Sequence, residues 1–328
     1  MNESKALNTV LVITGPTCSG KTEIALSLVK RIRAEIISAD SRQIYRGMDI
    51  GTDKVSEDVR KKFPHHLIDV VSPSEIFTVA DFKKKAEAVI NRLQGEGKLP
   101  VVCGGTGLYI RALTQGIFPG PGRDEKLREK LRLRVKEGGL SSLYNELKEA
   151  DPEVCQHIHP NDEVRIIRAL EVLYKTGVPI SFHQKRRTFT PSWKMVKVGI
   201  RWRERTYLYR LIEERVDRMI EKGLVEEVKG LLAAGYREYL PSMQAIGYRQ
   251  MIKYIKGELS LDEAVRLIKR DTKRFAKRQL TWFKKEEGIV WLEREDYPSP
   301  EKAAERIIDI LLEKAPEVDF LLLPGADA

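Results

Sequence analysis

The sequence predicts an α/β protein: a parallel sheet flanked by helices, interrupted by a small all-helical insertion. Three observations predict it. The apolar run Val10-Leu11-Val12-Ile13 leads through a Gly-rich loop into an amphipathic stretch over residues 23–32, the strand–loop–helix unit of α/β architecture. Further short apolar runs at residues 34–38, 99–103, 195–200 and 289–292 are separated by helical patterns. From residue 123 to about residue 177 no strand signal interrupts the helical periodicity.

The loop is Gly15-Pro16-Thr17-Cys18-Ser19-Gly20-Lys21-Thr22. Its spacing is that of the phosphate-cradling P-loop, and strand and helix supply the context that gives the motif meaning. The glycines let backbone N–H groups turn inward. The helix N-terminus adds partial positive charge, and Lys21 adds a full one. The Thr22 hydroxyl is a candidate Mg²⁺ ligand. The core is therefore expected to be P-loop NTPase-like and to bind a di- or triphosphate; the loop alone does not say which.

Asp40 follows the second strand, where functional groups of an open α/β sheet gather. It leads into Ser41-Arg42-Gln43-Ile44-Tyr45, and residues 46–73 read as loop-rich. A helix is predicted over residues 78–94 from the stripe Val79, Phe82, Ala86, Val89, Ile90 and Leu93, ended by Gly95 and Gly97. The third strand runs into Gly104-Gly105-Thr106-Gly107, a second Gly-rich strand-to-helix turn. For its glycines an ordinary tight turn explains as much as a function does. Thr106 gains interest from sharing a rim with the P-loop.

Gly/Pro-containing stretches at 116–122 and 188–193 bracket helical patterns at 124–136, 141–149 and 162–175. The expected organisation is a core of residues 1–118 and 191–315, an insertion of 119–190 and a tail of 316–328. The apolar Phe320-Leu321-Leu322-Leu323 of that tail has no evident role. Arg165 and Arg168 share a helix face, and Lys185-Arg186-Arg187 is a basic cluster; either alone reads more simply as solvated surface. Arg215, inside a helical stretch, reads by itself as an exposed i, i+4 ion-pairing arginine. The helix from residue 260 to about 285 is the most basic element. Between Arg266 and Lys285 nine Lys/Arg stand against one acid, Asp271. Arg266, Arg270, Arg274 and Arg278 repeat at i+4, with Trp282 and Phe283 near the end. A basic face with aromatics is a nucleic-acid stripe, and nine to one departs from the charge mixing of a solvated face.

The chain of 328 residues carries 42% hydrophobic and 32% charged residues and a net charge of +10, which argues for an anionic partner. No run approaches the ~18 apolar residues of a membrane span, and residues 1–9 lack a signal-peptide core. The three cysteines have no framework spacing and fit a reducing compartment. A cytoplasmic monomer with no membrane partner is expected. Cys155, His157 and His159 lie close in sequence without a fourth ligand. Three classes survive: a small-molecule kinase with Asp40 as hydroxyl base, a nucleic-acid-dependent ATPase, and a group-transfer enzyme that holds a diphosphate leaving group and acts on a nucleic acid. No apolar strand ending in a Walker-B aspartate is found, and the basic surface exceeds what a metabolite kinase needs.

Several segments resemble the tRNA dimethylallyltransferase (tRNA isopentenyltransferase) family. They are the P-loop, Asp40-Ser41-Arg42-Gln43-Ile44-Tyr45, Met48-Asp49-Ile50-Gly51-Thr52, Gly104-Gly105-Thr106-Gly107-Leu108-Tyr109, Arg165-Ile166-Ile167-Arg168-Ala169-Leu170-Glu171, Gln244-Ala245-Ile246-Gly247-Tyr248, and residues 276–283. Together they cover nearly the whole chain. Cys18 stands where the family often has Ala, a small-for-small change. The resemblance implies Mg²⁺-assisted transfer of a dimethylallyl group from dimethylallyl diphosphate to N6 of the adenosine just 3′ of the anticodon, in tRNAs reading codons that start with U. It also implies that the insertion grips the anticodon stem-loop.

By the same resemblance Gly15 to Thr22 hold the diphosphate, with Lys21, Arg215 and Thr106 at the reaction centre and Asp40 as base. RNA contacts are expected from Asp40, Ser41, Arg42, Gln43, Thr106, Arg128, Val164, Arg165, Ile166, Ile167, Arg168, Arg274, Lys277 and Arg278. The chemistry agrees with these residue types. An allylic C–O bond ionises toward a stabilised cation, so the main demand is to hold the departing diphosphate, each oxyanion-type donor being worth ~3 kcal/mol. The exocyclic adenine amine is a poor nucleophile, and a carboxylate accepting its N–H helps. Gln43 is a candidate for pairing with an adenine edge. The runner-up is a relative that prenylates free adenine nucleotides, which would keep the P-loop and Asp40 but need neither the insertion nor the basic helix.

Overall fold

The computed structural model describes residues 7–118, 120–186 and 192–323. Arg187 of the basic cluster, residues 188–191 of the second linker, residues 324–328 of the tail and the first six residues lie outside the described ones. In chain order the elements are β1 (Thr9–Thr14), α1 (Lys21–Val29), β2 (Ala34–Ser38), α2 (Glu57–Lys62), β3 (His65–His66), α3 (Val79–Gly95), β4 (Leu99–Gly104) and α4 (Gly107–Thr114). Then come α5 (Glu125–Ala150), α6 (Pro152–Cys155), α7 (Glu163–Thr176) and α8 (Ile180–Lys185). The chain continues with β5 (Lys194–Arg201), α9 (Arg205–Glu221), α10 (Leu224–Ala233), α11 (Tyr248–Ile255), α12 (Leu261–Phe283), β6 (Ile289–Glu293) and α13 (Pro300–Lys314). The chain divides into two compact units, Met1–Thr114 with Pro191–Ala328, and Gln115–Thr190.

The larger unit is built on one sheet with strand order β3-β2-β4-β1-β5-β6, and all its pairings are parallel. Parallel strands are covered on both faces, which is why they read as continuous apolar runs. Alternate side chains then go to opposite sides. Leu11 and Ile13 join Val101, Val198 and Ile200 under α1 and α13. Val10 and Val12 join Ile37, Val102, Phe82 and Tyr109 under α3 and α4. A third apolar cluster joins residues 44–48 to α9, α10, α11 and α12. The helix predicted over 78–94 forms with Thr78 as its cap and Asp81 closing the capping box.

Three features depart from the sequence reading. The loop-rich stretch contains α2 and a two-residue strand, β3, whose His65 and His66 pair with Ile36 and Ile37; two residues carry no period to detect. The tail is not separate from the core. Residues Pro316–Leu321 form a 3₁₀ turn that buries Val318 and Leu321, while Arg33 N–H donates to Leu321 O and Leu323 N–H to Arg31 O, each at 2.8 Å. The first unit boundary falls at 114/115, four residues before the expected 118/119, because α4 ends there.

The smaller unit is all helical. Asp124 and Asp162 cap α5 and α7, and Gly139 (φ 76) breaks α5 where the sequence left a gap between helices. Leu131, Leu143, Leu147, Val154, Ile166, Ile167 and Leu170 form its core. At that core's edge stands Glu171, fully buried. It accepts from Arg128 Nε and Nη2 at 2.8 and 2.7 Å, from Asp124 N–H at 2.7 Å and from Arg168. Burial pushes its pKa up, but the Arg128 bonds, the Asp124 N–H and Arg168 outweigh it and hold the carboxyl at about 2.

Removing one partner of a buried, hydrogen-bonded ion pair costs about 3–5 kcal/mol. Glu171→Gln is therefore expected to speed amide exchange at pH 7 in peptides of α5 and α7 and to leave peptides of the sheet unchanged. Because the folded pKa lies below the ordinary 4.5, the carboxylate's contribution is present above that value and is lost as pH falls toward about 2. Exchange in α5 and α7, corrected for intrinsic rate, is expected to rise across that window, and by less in the variant.

Candidate functional site

The site lies at the carboxyl ends of β1, β4 and β2, which are neighbours in the sheet. After β1 the chain turns sharply at Gly15 (φ 143), where a Cβ would stand 2.1 Å from Ile200 O; only glycine fits. The loop closes through Gly20 (φ 84) onto the first turn of α1. Lys21 Nζ reaches back to Pro16 O at 2.5 Å and Ser19 Oγ at 3.5 Å. Burial lowers the Lys21 pKa, opposed by the charge of Asp40. Thr22 is exposed in the first turn of α1.

Two groups pin this loop from outside it. Gln279, on α12, is buried. Its Oε1 accepts from Thr17 N–H at 2.9 Å and its Nε2 donates to Gly105 O at 2.9 Å, so one carboxamide joins the two Gly-rich turns. Trp202 Nε1 donates to Cys18 O at 2.8 Å. Cys18 adopts φ 59 and packs with Leu208, Ile212, Ala276 and Leu280.

Beyond β2, Asp40 Oδ1 accepts from Arg42 N–H at 2.7 Å and Gln43 N–H at 3.3 Å. This is an Asx turn. It fixes the carboxylate and leaves Oδ2 without a hydrogen bond among the described residues. Thr106 N–H donates to Ala39 O at 3.1 Å, and Thr106 Oγ1 accepts from Ser41 N–H at 3.0 Å. Asp40, Ser41 and Thr106 are thus one hydrogen-bonded rim. Arg42 Nη1 donates to Pro241 O at 2.9 Å.

Two expectations change. Gln43 does not present a free amide edge: its Oε1 accepts from Ser38 Oγ at 3.2 Å, and its Nε2 donates to Thr52 O and Asp53 O at 3.2 and 3.3 Å. Arg215 is not a solvent-facing i, i+4 arginine. Its Nη1 donates to Thr17 Oγ1, and its Nε lies 3.4 Å from Asp53 Oδ2, which puts a guanidinium on the P-loop.

The stretch from Val164 to Arg168 divides. Val164 (76% exposed) and Arg165 (60%) face solvent, whereas Ile166 and Ile167 are buried in the insertion's core. Arg128 and Arg168 are bound to Glu171. On α12, Arg274, Lys277 and Arg278 are exposed, but Lys269 and Lys273 pair with Asp217 and Glu213 of α9. The helix's nine-to-one imbalance is therefore partly offset by its neighbour, which its own sequence does not reveal. Trp202 is a site residue outside the motifs, and Gln279, inside the matching stretch 276–283, is one to which that match assigns no role. For Gln279 the sequence does hold a signal: a polar residue on the same face as Ala276, Leu280 and Phe283.

Truncating Gln279 to Ala removes the partner of the half-buried Thr17 N–H and of the buried Gly105 C=O, the latter at about 1–3 kcal/mol. A lower urea midpoint is expected, with faster amide exchange in the peptide that contains Thr17.

A profile described as IPP transferase matches residues 43–286. A tRNA dimethylallyltransferase from Geobacter metallireducens is 50% identical over 285 residues, 87% of this chain and 92% of that protein. The tRNA dimethylallyltransferase of Caldanaerobacter subterraneus is 45% identical over 93% of this chain and 98% of its own length. Among solved structures, a tRNA isopentenylpyrophosphate transferase from Bacillus halodurans superposes with a TM-score of 0.69 at 40% identity, covering 94% of this chain and 98% of its own. A eukaryotic dimethylallyltransferase acting on tRNA does so with a TM-score of 0.77 at 27% identity, over 92% of this chain and 78% of that one. With the P-loop, the Asp40 turn and the Thr106 rim brought to one sheet edge, these matches give the family outright: the chain belongs to the IPP transferases.

Proposed function

We propose that this chain transfers a dimethylallyl group from dimethylallyl diphosphate to N6 of the adenosine 3′ of the anticodon, in tRNAs reading codons that start with U. The observation that carries the reading is the junction of a phosphate-cradling loop with a half-fixed carboxylate. Arg215 lies on Thr17, and the Asp40 turn is tied through Ser41 to Thr106. The names of the bacterial relatives, and the eukaryotic neighbour's description as a dimethylallyltransferase acting on tRNA, support tRNA as the acceptor.

In this reading the bond from C1 of the allyl group to the diphosphate oxygen breaks, the leaving group taking the electron pair. Loop N–H groups, Lys21 and Arg215 receive that charge, each donor being worth ~3 kcal/mol. N6 forms the new bond to C1 and gives up a proton. Asp40 Oδ2 is the acceptor, since Oδ1 is held by the turn. Ser41, Arg42 and Thr106 surround the base. Gln43 supports the wall through Thr52 and Asp53 and does not read the adenine edge. The base leaves its stack to reach the site, at a cost of a few kcal/mol.

Mg²⁺ fits the residues present. It needs only one or two protein oxygens beside phosphate oxygens and water, and Thr22 offers an exposed hydroxyl at the helix start. When bound there it would neutralise diphosphate charge. Arg165 with Val164 on the insertion, and Arg274, Lys277 and Arg278 on α12, are the exposed groups suited to the RNA backbone and loop. Arg128 and Arg168 act on RNA indirectly, by shaping the insertion through Glu171. The protein is read as a monomer of the cytoplasm; among the described residues no helix is long and apolar enough to cross a membrane.

Radiolabelled dimethylallyl diphosphate, mixed with an anticodon stem-loop carrying three adenosines 3′ of the anticodon and, in parallel, with AMP and ATP, tests this. Label is expected in the RNA alone. Label in AMP or ATP would move the reading to free nucleotides, and ATP hydrolysis without label would remove it. Asp40→Ala should keep stem-loop affinity within about tenfold and lower turnover at least ~10²-fold. Lys21→Ala should impair use of dimethylallyl diphosphate far more than RNA binding. Stem-loop affinity should also fall steeply with salt; a flat profile would remove α12 as an RNA surface.

A further inference from the structure

One carboxylate outside the residues assigned above is surrounded by donors in a way a surface glutamate is not. Glu227 lies in the first turn of α10. Its Oε2 accepts from the N–H groups of Asp49 and Ile50 at 2.9 and 2.7 Å. Its Oε1 accepts from Gly51 N–H at 3.1 Å and from the Tyr248 hydroxyl at 2.6 Å. Three consecutive backbone N–H groups converging on one anion form a nest, and here the anion is part of the chain. Tyr248 is fully buried, and a Cβ on Gly51 would stand 2.5 Å from its ring. The loop over residues 49–51 is therefore gripped from one side and blocked from the other.

The next two residues reach the site in two directions. The carbonyls of Thr52 and Asp53 accept from Gln43 Nε2, and Gln43 N–H donates to Asp40 Oδ1. Asp53, held at φ 52, presents Oδ2 to Arg215 Nε at 3.4 Å. Left-handed backbone in a non-glycine residue persists where surrounding contacts impose it, and the Glu227 clamp ends two residues before, at Gly51. Arg215 in turn donates through Nη1 to Thr17. With Nε toward Asp53 and Nη1 on the loop, the guanidinium has one orientation.

We propose that Glu227 is a positioning residue for the transfer reaction. It clamps the backbone of residues 49–51, sets Asp53 against Arg215 and so aims the guanidinium at the diphosphate. The inference rests on the role given to Arg215 in the proposed function. It assigns a part in diphosphate handling to a helix that contributes no atom to the P-loop.

The test compares wild type with Glu227→Gln, Glu227→Asp, Asp53→Asn and the Gln/Asn double variant. Dimethylallyl diphosphate is varied at saturating stem-loop RNA. Inhibition by inorganic diphosphate and RNA affinity are measured separately. Glu227→Gln replaces one acceptor oxygen by a donor facing N–H groups. It is expected to raise KM for dimethylallyl diphosphate and Ki for inorganic diphosphate together, by about tenfold, with RNA affinity within about threefold. Glu227→Asp should recover part of the loss. Asp53→Asn should shift KM and Ki in the same direction by less, and should add little in the double variant, because coupled residues are non-additive. Unchanged KM and Ki in Glu227→Gln, or fully additive losses, would overturn the proposal. If Glu227→Gln does not fold, the half-exposed Asp53→Asn decides, and unchanged constants there overturn it. If wild type transfers no label to RNA, the reaction assignment fails instead, and calorimetric binding of inorganic diphosphate to the same variants still decides the link from Glu227 to Arg215.

Discussion

Backbone meeting backbone at the carboxyl edge of the sheet is the constraint on which the site depends. Ile13 and Ser38 are both in register with Cys103, so the chains leaving β1, β2 and β4 depart at one level. A Cβ at Gly104 would stand 2.3 Å from Ala39 O, and Thr14 Oγ1 donates to Gly104 O at 3.1 Å. The strands can come this close only because the residues at their ends lack side chains or turn them into bonds. The two Gly-rich turns are for that reason spatial neighbours, and a single carboxamide, Gln279, spans them. Their glycines serve close packing and ligand approach together, so neither explanation excludes the other.

Charge is used in two distinct ways. In the insertion, Arg128 and Arg168 are turned inward on a buried carboxylate, where desolvation makes the arrangement costly to break and the geometry specific. On α12 the exposed Arg274, Lys277 and Arg278 remain available to an anion, while Lys269 and Lys273 are partly neutralised across the groove to α9. The net charge of +10 therefore overstates the field at any one surface. Where the cations sit, and what already faces them, sets the attraction for a polyanion.

Much of the fold was legible because its physics is local. The five strands read from apolar runs all form, and the P-loop, the helix over residues 78–94 and the gap between the helices at 124–136 and 141–149 follow from residues within a few positions of one another. What was not legible depends on partners far away in sequence. Pairing with β2 makes His65 and His66 a strand, and the pairing lies outside their own stretch. The tail became core because Arg31 and Arg33 offer it backbone bonds. At the site, Asp40 and Thr106 were found from their strand ends. The fixed amide of Gln43 and the inward turn of Arg128 and Arg168 came only with the fold. Ile166 and Ile167 show the limit of reading a motif as a contact list: one short stretch of helix puts Val164 and Arg165 in solvent and Ile166 and Ile167 in the core.

Trp202 gives the molecule an optical property. All four tryptophans, Trp193, Trp202, Trp282 and Trp291, lie outside the stretch Gln115–Thr190. Intrinsic indole emission therefore originates in the larger unit. Within that unit Trp202 is bonded to the P-loop itself through Cys18 O, and the guanidinium of Arg294 lies 5.7 Å from its ring centroid. In a variant that keeps Trp202 and replaces the other three tryptophans, its emission would be a built-in gauge of the phosphate loop, readable without any label.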